Sequence, residues 1–131
     1  MLYWLPALFW MLFIFYLSGR TGGELHALFP FLQNFNPGHV AAYFVLALLY
    51  YAALRKNSRP RPFLTAWLLC LLYGISDEAH QYFVPTRHPD AYDLLRDMLG
   101  ASLALLLAFL TRKKNKNSRR PGPHDKQDLL Q

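Results

Sequence analysis

Four stretches of this chain carry no charged side chain, and they limit its folds more than any other feature. They are residues 2–19 (LYWLPALFWMLFIFYLSG), 40–54 (VAAYFVLALLYYAAL), 63–76 (FLTAWLLCLLYGIS) and 98–111 (MLGASLALLLAFLT). Pro37 begins an extension of the second, Tyr82, Phe83 and Val84 continue the third, and Leu94 and Leu95 lengthen the fourth. About 20 helical residues cross the hydrocarbon core of a bilayer. The reading is an all-α, polytopic membrane protein: a bundle of four transmembrane helices over roughly 2–19, 37–55, 63–84 and 93–111. A soluble bundle would have to hide four helices that are apolar on nearly every side, and 131 residues are too few. The first stretch is expected to stay in place. No basic segment precedes it, YLSGR is a poor cleavage site, and Tyr3 and Trp4 suit an interfacial anchor.

Charge then sets the expected orientation. The net charge is +6, which by itself would suit nucleic acid. Its distribution argues for membrane topology instead, and no nucleic-acid partner is expected. The connection RKNSRPRP (55–62) and the tail from Arg112 hold 11 of the 14 Lys and Arg. With four spans, both lie on one side, and the positive-inside rule makes that side cytoplasmic along with both termini. The expected division is a membrane domain over 1–111 and a basic, disordered cytoplasmic tail over 112–131. On the other side, Arg20, Arg87 and Arg96 face Glu24, Asp77, Glu78, Asp90, Asp93 and Asp97. Function is expected on this acidic, outer side.

The letters DEAH at 77–80 match the metal-binding box of helicases, but the match is coincidental. No phosphate-cradling G-x-x-x-x-G-K-[ST] occurs, and the acids follow an uncharged run too long for a typical strand. At 1.5 Å per residue, Asp77 instead lies on the order of 9 Å below the expected exit near Phe83. A carboxylate at membrane depth costs roughly 2.5–3.5 kcal/mol on insertion scales, so it needs a reason to be there. Asp77 and Gln81 share a helix face, as do Ser76 and His80. Asp93, Asp97, Gly100 and Ala104 form one small, acidic stripe, and His39, Tyr43 and Ala47 form another line. Arg87, in the Pro-flanked VPTRHPDAY, is placed to fold back over the carboxylates. The expected polar cluster is His39, Tyr43, Asp77, Glu78, Gln81, Arg87, Asp93 and Asp97.

These same residues carry a family resemblance. HVAAY at 39–43, SDEAHQYFVPTR at 76–87, and Asp93, Asp97 and Gly100 in DLLRDMLGA resemble the VanZ-like membrane proteins. The resemblance covers residues 1 to about 111. Thr86 departs from the glycine usual before the arginine, and Ala104 from a second glycine common in the fourth helix. The resemblance implies a bacterial, multi-pass protein of the cytoplasmic membrane and cell envelope. The family is named for resistance to the glycopeptide antibiotic teicoplanin.

Four readings of the cluster stay open: interhelical glue, a ligand site, an acid–base enzyme, and a proton or ion pathway. The ligand would be an envelope lipid, a cell-wall-related molecule or a glycopeptide. The enzyme would use Asp77 with Glu78, or His39, with Arg87 holding an anionic group. No cofactor or metal is expected, because His80, Asp77 and Glu78 lack a ligand spacing. His80 is read as a hydrogen-bonded helix residue, and His26, His88 and His124 as loop residues. Arg96 is read as snorkelling outward, and Cys70 and the tryptophans as packing or interfacial residues. Between the first two spans, Leu25, Leu28, Phe29 and Leu32 have helical spacing, but Pro30 interrupts it, which predicts a short interfacial helix ending near Phe29. It is either a linker resting on the membrane or a lid over the cluster.

Overall fold

The computed structural model describes residues 2–31 and 36–118. A 3-10 turn, Leu2–Trp4, leads into α1 (Leu5–Ser18). There follow α2 (Gly22–Leu28), α3 (Asn36–Lys56), α4 (Pro62–Gln81) and α5 (Ala91–Ser118). No strand occurs among the described residues. The part of the expected tail over 119–131, with His124, lies outside them.

The central element is α3. It buries Tyr43, Leu46, Ala47, Tyr50, Tyr51, Ala53 and Leu54, and it packs against α1, α4 and α5. Its tightest partner is α5, for a steric reason. A Cβ at Gly100 would overlap the Val40 carbonyl, so the two helices meet backbone to backbone. Asp97, Gly100, Ala101 and Ala104 form the seam, and Ala104 is fully buried without preventing the approach. On α4 the buried residues are Ala66, Cys70, Gly74, Asp77 and Gln81, one face at helical spacing. Small residues let α4 in close, and its two polar residues arrive at the end of the same face. Three hydrogen bonds tie α1 to the rest. Trp10 Nε1 donates to the Ala42 carbonyl at 2.9 Å, Tyr73 Oη to the Met11 carbonyl at 2.6 Å, and Tyr50 Oη to Met11 Sδ at 3.0 Å.

The outside of this bundle is apolar. Phe9 and Leu12 on α1, Leu68 and Leu72 on α4, and Leu99, Leu106 and Phe109 on α5 are all exposed. Such a surface suits lipid and not water. Two helices are long and apolar enough to cross a membrane, α3 over Pro37–Lys56 and α5 over Ala91–Lys114. A third candidate exists only if the 3-10 turn and α1 are joined to α2, from which they are bent by 118°. The expected four-span pattern is therefore met in part. The helix of the third stretch stops at Gln81 rather than reaching residue 84, and Asp77, Glu78, His80 and Gln81 dilute its apolar character. The fourth helix runs on past Thr111 to Ser118. Thr111 Oγ1 bonds back to the Leu107 carbonyl at 3.0 Å, and no proline or glycine interrupts it there.

Candidate functional site

The sequence-selected polar residues divide into two groups with different surroundings. The first is a strap joining α3 to α5. Asp97 is fully buried, and its Oδ1 lies 2.9 Å from His39 Nδ1. The other ring nitrogen, Nε2, faces Asp93 Oδ2 at 3.6 Å, within ion-pair range but long for a hydrogen bond. Asp93 also pairs with Arg96, which reaches Asp90 Oδ2 at 4.0 Å. Arg96 thus turns back to two carboxylates of its own segment, and does not snorkel outward as expected. With His39 protonated, two cations, His39 and Arg96, stand among three carboxylates, Asp90, Asp93 and Asp97. Both nitrogens of His39 are directed at carboxylates, which leaves neither as a ready base.

Glu78 belongs with this half. Its Oε2 accepts a hydrogen bond from the Asp90 amide at 2.8 Å. Asp90 in turn caps α5 by accepting from the Tyr92 amide at 2.9 Å. Glu78 therefore fixes the start of α5. No hydrogen bond joins it to Asp77 among the described residues.

The second group forms one end of a cavity of about 240 Å³. Its polar surface comes from His39, Tyr43, Asp77, Gln81, Ser18 and Arg87. Its apolar walls come from Phe13, Ile14 and Leu17 of α1 and from Leu25 and Phe29. Asp77 is 4% exposed and Gln81 2% exposed. The contact between them, Gln81 Nε2 to Asp77 Oδ2, is long at 3.4 Å. Among the described residues, Asp77 Oδ1, Tyr43 Oη and Ser18 Oγ are buried without a hydrogen-bond partner. Buried polar atoms in this state cost about 1–3 kcal/mol each, so three beside one cavity constitute a demand for a partner.

Arg87 lines the cavity, but it is not a counter-charge to the acids. Its Nε donates to the Arg20 carbonyl at 3.2 Å, and no ion pair joins it to a carboxylate among the described residues. The loop before it explains its position. Thr86 adopts φ +66°, a left-handed conformation that disfavours a β-branched residue. Glycine would adopt this φ without that penalty.

Three other residues differ from expectation or were not anticipated. His80 stacks on Phe15 at 4.1 Å, and its buried Nδ1 lacks a hydrogen-bond partner. It packs α4 against α1 instead of being hydrogen-bonded. His26 stands on α2, not in a loop. Ser18 was not among the selected residues; its signal was the one serine at the end of a helix of apolar and aromatic residues. The short helix α2 was foreseen, and a Thr21–Glu24 capping box starts it. Its Leu25 is buried, which favours a cover over a mere linker. No group of three or more His, Cys, Asp and Glu fit to hold a metal occurs among the described residues.

A helical bundle with an apolar exterior and ionisable groups sealed inside defines a class, the helical membrane proteins. Within that class, the chain belongs to the VanZ/LLP1 family, which matches residues 3–112. An uncharacterised protein of Schizosaccharomyces pombe is 33% identical over 76 residues, covering 58% of this chain and 47% of that one. The match thus spans about half the length of that curated relative, and it shows that the likeness extends to a eukaryote. No solved structure matches the chain.

Proposed function

We propose that this protein binds the polar end of a membrane amphiphile in the cavity between α1, α2, α3 and α4. The observation that carries the reading is the pairing of an apolar wall with three unpartnered buried oxygens. An amphiphile meets both needs at once. At about 240 Å³ the space is below the roughly 300–1,000 Å³ of pockets for drug-sized ligands. It suits a headgroup or a short part of a chain better than a whole glycopeptide. Of the ligands considered from the sequence, an envelope lipid fits best. The protein would sit in the cytoplasmic membrane with four spans, both termini cytoplasmic and the cavity towards the outer side.

Neither catalysis nor glue alone fits this cavity as well. The nitrogens of His39, both directed at carboxylates, and the hydrogen bond of Glu78 to the Asp90 amide weigh against an acid–base reading. Glue describes the His39–Asp97 strap, but it does not use the oxygens of the second group.

Native mass spectrometry of the purified chain tests the reading. Wild type should retain lipid adducts through delipidation. Leu25→Trp, which fills the cavity from α2, should lose them while keeping its helical content. Equal adducts on both proteins would refute cavity binding.

A further inference from the structure

Resting on that reading, we infer that the cavity selects an ammonium group: its ligand is an amphiphile with a protonated primary amine. The buried polar end holds one carboxylate oxygen and two hydroxyls, and a hydroxyl can accept as well as donate. Asp77 Oδ1, Tyr43 Oη and Ser18 Oγ all lack partners, and all three residues are more than nine-tenths buried. They line the same cavity. An ammonium carries three donors and no acceptor, which complements such a surface.

Charge points the same way. Two basic residues line the cavity, but each has its bond outside it: His39 is held by Asp97 and Asp93, and Arg87 by the Arg20 carbonyl. Asp77 has no ion pair within 4.0 Å among the described residues; its neighbours are Ser18 and a long contact from Gln81. A charge-assisted bond to an ammonium is roughly twice as strong as a neutral one, and a buried carboxylate gains most from it. An alcohol of the same shape brings one donor and no charge, so it satisfies fewer of the oxygens.

The amine has two sources, an aminophospholipid headgroup or a single-chain lipophilic amine. Arg87 separates them. Its guanidinium lines the cavity with no carboxylate partner, and it is the group to receive a phosphate.

Ligand-induced stabilisation of the purified full chain, measured as the shift in Tm against ligand concentration, supplies the test. The probes are octylamine against octanol, and dihexanoyl phosphatidylethanolamine against dihexanoyl phosphatidylglycerol. Wild type should prefer each amine over its partner by tenfold or more in half-saturating concentration. Asp77→Asn should abolish that preference, and Tyr43→Phe should reduce it. Should Asp77→Asn fail to fold, the wild-type ratios and Tyr43→Phe decide. Arg87→Gln should weaken the phosphatidylethanolamine and leave octylamine unchanged if the source is a phospholipid; the reverse preference, octylamine alone, assigns a single-chain amine. Either result supports the ammonium site. Absence of any amine preference in wild type, or its persistence in Asp77→Asn, overturns it. Cavity binding itself survives that failure if Leu25→Trp still abolishes the response to all four probes, and falls with it if Leu25→Trp changes nothing.

Discussion

His39 Nδ1 stands 2.9 Å from Asp97 Oδ1, joining helices α3 and α5 across 58 positions of sequence. Asp97 is fully buried, so this contact is the partner that makes an acid tolerable inside the bundle. Removing one partner of such a pair costs about 3–5 kcal/mol, because the other is left uncompensated. His39→Ala should lose that much stability in detergent. Asp97→Asn keeps an acceptor for the ring and should lose less. The double change His39→Ala with Asp97→Asn should lose less than the sum of the single changes, which a double-mutant cycle of unfolding free energies measures.

Gly100→Ala places a methyl group against the Val40 carbonyl, where backbone and not a flexible side chain must yield. Overpacking of this kind costs typically about 1–3 kcal/mol. Gly22→Ala, which meets nothing within 4 Å, is the control and should be close to neutral. Thermal unfolding of the two variants beside wild type checks the contrast.

Thr86→Gly should raise stability. Left-handed backbone costs an L-residue roughly 1–2 kcal/mol, and glycine removes that strain. Glycine's larger unfolded entropy returns part of it, so the expected net gain is about 0.5–1 kcal/mol. A rise in Tm with Arg87 still in place is the result to look for. A fall would mean that the Thr86 side chain contributes more than the strain it suffers.

Topology is open to a direct measurement. Cys70 is the only cysteine and is buried, so Cys70→Ala gives a silent background. In that background Asp90→Cys should react with a membrane-impermeant maleimide added to intact cells, and Ser58→Cys should not. Labelling at position 58 alone would invert the orientation.

Much of the fold was legible because apolar runs and helical spacing are local signals. The stripe of Asp93, Asp97, Gly100 and Ala104 reads directly as a packing face, and α5 uses it so. The end of α2 at Pro30 was legible for the same reason. The division of the polar residues was not. Asp77 and Glu78 are neighbours in sequence, but a helix turns about 100° per residue, so they meet different partners. Which partner each finds depends on where α1 and α5 come to rest, and no local pattern encodes that. The partner of Arg87 was not legible either: charge pointed to the carboxylates, whereas its Nε bonds the Arg20 carbonyl, 67 positions away in sequence.

The span of 58 residues between His39 and Asp97 also bears on how the chain is made. Synthesis proceeds from the N-terminus, so α3 leaves the ribosome well before α5 exists. During that interval His39 has neither Asp93 nor Asp97 to meet. The first wall of the cavity is likewise provisional, since Met11 waits for Tyr50 and then for Tyr73. Assembly of this protein is therefore end-loaded: the polar groups of the earlier helices lack these partners until the last helix arrives.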